Sequence, residues 1–233
     1  MSGLDPLQLL KAYSVGVFPM ADRHDAPDVY WVEPRRRGIL PLGNFHLSRS
    51  LAKVLRQERF VHTANAAFRA VMLECAAPGT ARGETWINPA IVDGYCALHA
   101  RGNAHSLECW QDGVLVGGLY GVELGGAFFG ESMFSRATDA SKAALAHLIA
   151  RLRAGGYALL DTQFLTTHLA QFGAIEIGRE PYRALLSGAI GARGDFFAFD
   201  TAPMDLSGAD DPADTVSGPV SGKRIVQALT QTS

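Results

Sequence analysis

Between residues 104 and 161 the chain carries three strand-like runs, one long helical pattern and a fourth strand, and this succession constrains the fold most strongly. The runs at 104–111 and 114–122 are joined by Asp112-Gly113, a dipeptide that accepts the positive φ angles of a tight hairpin turn. A third strand follows over Gly126–Gly130. Asp139 is placed to cap a helix in which Ala143, Leu145, Leu148, Ile149 and Leu152 form one apolar stripe, ended by Gly155-Gly156. A strand at 157–161 then completes a β–helix–β unit. Antiparallel strands feeding such a unit predict an α+β fold with a mixed central sheet and helices on both faces.

The flanking segments fit around that unit. Asp5-Pro6 suits a helix start and Gly16 its stop, with short strands at Tyr30-Trp31-Val32 and Gly38-Ile39-Leu40 and a helix capped by Ser48. Residues 1–60 read as a small N-terminal α/β domain, 61–200 as the main domain, and 201–233 as a flexible acidic tail. Within the main domain, Asn65 is the expected cap of a helix running to Cys75, and Asn88-Pro89 starts another that ends at Gly102. A short helix near 166–171, a strand at 174–177, a helix at 180–190 and a strand at 196–199 complete it. The tail is rich in Ser, Gly, Asp, Pro and Ala, and only Ile225, Val226 and Leu229 could dock.

Composition narrows the function classes. Hydrophobic residues make up 48% and charged residues 19% of the 233, the balance of a soluble globular protein. No apolar run approaches the ~18 residues of a membrane span, and the N-terminus lacks the basic and apolar regions of a secretory signal. Cys75, Cys96 and Cys109 are odd in number and lack CxxC pairing, as expected of buried thiols in a reducing cytoplasm. Residues 1–62 hold nine Lys/Arg against six Asp/Glu, whereas 200–233 hold two against five, so the net charge of −2 conceals a mildly basic N-terminal part.

Two strand ends present polar groups. Glu131 sits in Phe128-Phe129-Gly130-Glu131-Ser132-Met133-Phe134-Ser135-Arg136, where core packing alone would not select a carboxylate. About thirty residues on, Asp161-Thr162-Gln163 ends a second strand with an acid and an amide. On the residues alone, Glu131 reads equally as a helix-capping acid or a site acid, and Asp161 as a structural acid or a site acid. The histidines show no ligand spacing, no G-x-S-x-G elbow frames Ser132 or Ser135, and Gly117-Gly118 lies in a hairpin strand rather than at a phosphate-binding turn. The arginines at 35, 36 and 37, with Arg49, Lys53, Arg56 and Arg59, read either as solvated faces or as contacts to RNA phosphates.

The run Gly130–Ser135, followed by Ala140-Ser141-Lys142 and Asp161-Thr162-Gln163, resembles the leucyl/phenylalanyl-tRNA–protein transferase family. Gly16–Met20, His46–Ser50, Thr85-Trp86-Ile87, His105–Glu108 and Val116–Gly121 occur in family order across roughly 5 to 185. The resemblance implies a GNAT-like acyltransferase domain that moves leucine or phenylalanine, with methionine tolerated, from aminoacyl-tRNA to proteins beginning with Arg or Lys, marking them as N-degrons. It further implies Glu131, Asp161 and Gln163 as catalytic residues and an aminoacyl pocket of Trp86, Leu119, Phe128, Met133, Ser135, Leu152 and Leu160. Arg35, Arg49 and Lys53 would touch the tRNA. Neither cofactor nor metal is implied, and the expected state is a monomer. Leu152 stands where other members carry phenylalanine, and Thr162 where they carry cysteine. The competing readings are a related enzyme with an acyl-CoA donor, which would want a glycine-rich loop that Arg136–Ala140 lacks, and a non-catalytic RNA- or peptide-binding module.

Overall fold

The computed structural model of the protein describes residues 4–77, 85–201 and 217–231. In chain order the elements are α1 (Pro6–Ser14), β1 (Phe18–Met20), β2 (Tyr30–Val32), β3 (Arg36–Ile39), α2 (Arg49–Arg56), β4 (Val61–Ala64), α3 (Phe68–Ala76), α4 (Pro89–Ala100) and β5 (Ala104–Gln111). They continue with β6 (Val114–Leu124), β7 (Ala127–Ser135), α5 (Ala140–Ala154), β8 (Leu159–Gln163), α6 (Thr167–Ala170), β9 (Ile175–Gly178), α7 (Arg179–Gly191), α8 (Ala198–Thr201), β10 (Ser217–Val220) and α9 (Gly222–Thr230).

β1 and β2 form a small two-stranded ribbon, and the other strands form an eight-stranded sheet in the order β10-β4-β5-β6-β7-β8-β3-β9. Among the described residues its neighbours run antiparallel except β7 and β8, which are parallel. That exception follows from α5, because two parallel neighbours need a crossover long enough to bring the chain back. The hairpin between β5 and β6 turns at Asp112 and Gly113 with φ of 52° and 76°, as the dipeptide predicts. The mixed sheet and its α+β class agree with the sequence reading.

Helices cover both faces and make two cores. On one face Leu145, Leu148, Ile149 and Leu152 of α5 pack with Leu119, Phe128 and Leu160 of the sheet. Gly117 lets α5 lie this close, since a Cβ there would come within 2.4 Å of the Ala140 Cβ. On the other face Tyr13 of α1, Val71 of α3 and Tyr95 of α4 pack with Tyr120, Phe129 and Phe134. β3 lies inside the sheet, hydrogen-bonded to β8 and β9, although the sequence places it in the N-terminal segment.

Several elements differ from expectation. The strand expected over 196–199 is absent, and 198–201 forms α8 instead. Phe196 and Phe199, three residues apart, are both buried, a helical rather than a strand spacing. Asn65 does not cap a helix: its φ is 60°, its Oδ1 accepts the Ser106 N–H at 3.0 Å, and α3 starts only at Phe68. Asp139 adopts φ 70° and pairs with Lys142 at 2.8 Å instead of capping α5. The third strand runs five residues further, to Ser135, so Glu131 lies inside β7 and not at a strand-to-helix junction.

Part of the expected tail is also structured. Ser217 and Val220 pair with Ala64 and His62 at the sheet edge, and Ile225, Val226 and Leu229 of α9 are buried in the core beside α2 and α5. Residues 202–216 lie outside the described residues. Three apolar side chains suffice because α9 adds to an existing core and need not fold alone. No helix of the described residues is long and apolar enough to cross a membrane.

Candidate active site

The site forms where β7 and β8 separate. The two strands pair only through Ala127↔Leu159, Phe128↔Leu160 and Phe129↔Asp161, after which they diverge. At that point β7 carries a bulge: Gly121 faces Gly130 but Tyr120 faces Ser132, leaving Glu131 as the extra residue. The inserted residue changes the alternation of faces. Glu131 turns towards α1 and α4, while Met133, two residues on, packs with the α5 core.

Glu131 is only 9% exposed and is held by three donors. Tyr13 donates to its Oε1 at 2.7 Å, while Tyr95 and the Gln163 Nε2 donate to its Oε2 at 3.2 and 2.8 Å. The Tyr13 and Tyr95 hydroxyls also touch one another. Burial pushes the Glu131 carboxyl up to about 7, outweighing the hydrogen bonds from Tyr13 and Gln163 that favour its charge. Burial and the nearby Glu131 charge raise both tyrosines well above their usual value, so they remain donors.

Asp161 is fully buried behind Gln163. Its carboxylate accepts two bonds from the Arg37 Nε at 2.9 and 3.0 Å, one from Nη2 at 2.7 Å, one from Tyr182 at 2.6 Å and one from the Gln163 N–H at 2.7 Å. Burial lowers the proton affinity of Arg37, but Asp161 more than offsets this and leaves it raised. The bond to its N–H holds Gln163 at φ 62°, in the left-handed region that non-glycine residues seldom occupy. With Nε2 committed to Glu131, the Gln163 Oε1 is the acceptor left for an incoming N–H.

A cavity of about 760 Å³ opens in front of Glu131 and Gln163. Alternate residues of β6 point to opposite faces, and the cavity reaches both through the gap beside β8. Leu119, Met133, Leu145, Leu148, Leu160 and Leu169 line it on the α5 side, and Cys75, Trp86, Tyr120 and Phe134 on the other. Thus Trp86, Leu119, Met133, Ser135 and Leu160 come together with Glu131 and Gln163 as expected. Phe128 and Leu152 do not. Both are fully buried in the α5 core away from the cavity lining, with Phe128 stacked on Phe196 at 6.1 Å. Their side chains pack against the sheet and α5.

Arg35, Arg49 and Lys53 are exposed, and Arg36 pairs with Glu176 at the surface. Arg37 is different: at 1% exposure it cannot reach a phosphate, which corrects its reading as part of a solvated basic run. Tyr13, Tyr95 and Tyr182 were not singled out from sequence, because isolated tyrosines on helices carry no local signal for a partner as far as 118 residues away. Among the described residues, no group of three or more His, Cys, Asp or Glu could hold a metal ion.

Comparison with known proteins adds to this geometry. The leucyl/phenylalanyl-tRNA protein transferase family model matches residues 39–187, and the model of that family's N-terminal domain matches 3–35. A leucyl/phenylalanyl-tRNA–protein transferase of Rhizorhabdus wittichii is 58% identical over 100% of both chains. The enzyme of the same name from Phenylobacterium zucineum is 51% identical over 100% of both chains. That from Rhodopseudomonas palustris strain HaA2 is 54% identical over 87% of this chain and 89% of its own. The chain is therefore a transferase that belongs to the leucyl/phenylalanyl-tRNA–protein transferase family.

Proposed function

We propose that the protein transfers leucine or phenylalanine from aminoacyl-tRNA to the α-amino group of acceptor proteins that begin with Arg or Lys, marking them as N-degrons for degradation. The observation that carries this reading is the pairing of Glu131 and Gln163 at the mouth between two apolar walls. An acid that forms no ion pair among the described residues suits a cationic acceptor side chain. The apolar wall of Leu119, Met133, Leu145, Leu148 and Leu160 suits the donor's side chain. Discrimination of ~1–3 kcal/mol per methylene leaves room for methionine.

The donor is an activated ester, so the chemistry needs orientation more than activation. The acceptor nitrogen attacks the ester carbonyl, a C–N bond forms, and the bond from carbonyl carbon to ribose oxygen breaks. One proton leaves the nitrogen and one arrives on the departing ribose oxygen. Gln163 is too weak a base to take that proton; its Oε1 accepts an N–H bond and aims the amine. The neighbouring ribose hydroxyl of the donor relays the proton. Glu131 faces the cation of the acceptor, and Asp161 fixes Gln163 from behind. The parting of β7 and β8 supports a GNAT-like placement of donor and amine, and Arg35, Arg49 and Lys53 supply exposed charge for the tRNA. On this reading the enzyme works as a monomer in the cytoplasm, where both substrates are made.

The test is transfer of labelled leucine from Leu-tRNA to peptides that differ only in their first residue. Arg- and Lys-starting peptides should react and an Ala-starting peptide should not. Equal turnover of all three refutes the acceptor assignment, and reaction with an acyl-CoA but not with Leu-tRNA refutes the donor.

A further inference from the structure

We infer that Arg37 and Tyr182 are positioning residues of the transfer, setting the Gln163 amide through Asp161 without touching substrate. The inference rests on the proposed reaction. The Arg37 guanidinium is layered between the rings of Phe18 and Tyr182, at 4.6 and 4.7 Å from their centroids. Its Nη1 donates to the Gly16 carbonyl at 2.9 Å, while Nε and Nη2 grip both oxygens of Asp161. The Tyr182 hydroxyl completes the grip on Oδ2 at 2.6 Å. Neither residue lines the cavity.

A buried ion pair is a weak device for stability, since apolar residues of similar size often do as well. This pair has a further consequence. Gripped from one side, the Asp161 carboxylate presents Oδ1 to the Gln163 N–H and holds a left-handed backbone in place. The same residue's Nε2 then meets Glu131 at 2.8 Å. A carboxylate free to rotate would release the Gln163 N–H, and with it the direction of the side chain. The grip also reaches the N-terminal segment: Gly16 turns at φ 82°, and a Cβ there would meet the Tyr182 ring at 2.9 Å. The placement of one amide in the cavity thus depends on the turn after α1, on β3 and on α7.

The test uses Arg37→Lys, which keeps charge but loses the two-pronged grip, and Tyr182→Phe, which keeps the ring over Arg37 and removes one hydroxyl. Single-turnover rates with Leu-tRNA and an Arg-starting peptide are measured at saturation, with KM for both substrates and thermal unfolding alongside. Each variant should react about ten-fold or more slowly with KM within about two-fold, since misplacing a reacting group by ~1 Å can cost about a hundred-fold. Placed in a Gln163→Ala background, each should add no further loss, because the two changes act through one group. Full activity, a change confined to KM, or the same fold-loss in both backgrounds overturns the inference. If Arg37→Lys does not fold, Tyr182→Phe decides alone. If Gln163→Ala is too slow to time, the split between rate and KM in the single variants decides. A wild type that transfers nothing overturns the proposed reaction instead.

Discussion

Replacing Glu131 by glutamine should change how stability depends on pH in a way that no surface substitution would. The folded state holds the Glu131 proton to about 7 against an ordinary 4.5, whereas the unfolded chain releases it near the ordinary value. At about 1.36 kcal/mol per unit this is a penalty of about 3 kcal/mol on the ionised folded form. The sign follows from proton counts. Between the two values the folded state binds more protons, so this group lowers stability as pH rises through that window. Geometry gives the same direction independently. Tyr13 and Tyr95 have two hydroxyl protons for three oxygen contacts, two to Glu131 and one to each other. A proton on Glu131 completes the ring. Urea unfolding of wild type and Glu131→Gln, from about pH 5 to about pH 8, reads the effect as a difference in which all other titrations cancel. Because part of the penalty is already present at pH 5, the mutant should gain roughly 2–3 kcal/mol relative to wild type across that range, or about 2–4 °C in Tm per kcal/mol. The penalty is relieved when an acceptor cation pairs with the ionised form. KM for an Arg-starting peptide should therefore fall as pH rises through about 7 in wild type relative to Glu131→Gln. A stability difference that is flat with pH, or that slopes the other way, refutes a buried, proton-holding Glu131.

Substitutions on α5 separate cavity from core: Leu148→Phe, on the cavity wall, should reduce use of phenylalanine more than leucine in competition assays. Leu152→Phe, fully buried and off the wall, should instead cost roughly 1–3 kcal/mol by overpacking and leave the Phe/Leu ratio unchanged. With the tRNA contacts assigned to Arg35, Arg49 and Lys53 alone, affinity for Leu-tRNA should fall with salt on a shallow slope. A minimal donor, adenosine esterified with phenylalanine, should still react at higher concentration; inertness of that donor beside active Phe-tRNA would show that the tRNA body dominates.

The parts of the fold legible in the sequence were those set by local chemistry. Asp112-Gly113 demanded a hairpin, the Ala/Leu stripe of α5 demanded a sheet to lie on, and a crossover helix between two strands demanded that they run parallel. Asp5, Ser48 and Asn88 cap their helices because each cap needs only a side chain and an N–H two or three residues away. Long-range pairing was not legible. β3 enters the sheet between β8 and β9, more than 120 residues later in the chain, and nothing in Arg36–Ile39 names those partners. β10 and α9 were hidden by composition, since an average over a polar tail cannot register three apolar residues that complete another element's core.

The site divides along the same line. Its polar residues stood out because an acid in an apolar strand, and an acid and amide at the end of another, are costly unless paired, and here they are hydrogen-bonded. Its geometry was not, because it depends on one residue of register. Without the bulge at Glu131, strict alternation from Phe129 would send Met133 to the α1–α4 face and Phe134 to α5. The observed bulge reverses that assignment, so that Glu131 keeps two tyrosine partners on one face while Met133, two residues on, joins the cavity wall on the other. A single strand thereby serves a polar network and an apolar wall at once. Arg37 was misread for a related reason. Its neighbours Arg35 and Arg36 are exposed, and only the insertion of β3 beside β8 turns the third arginine of the run inward, onto Asp161. What looks along the chain like one basic patch is, in three dimensions, two surface charges and the buried counter-ion of the residue that holds Gln163.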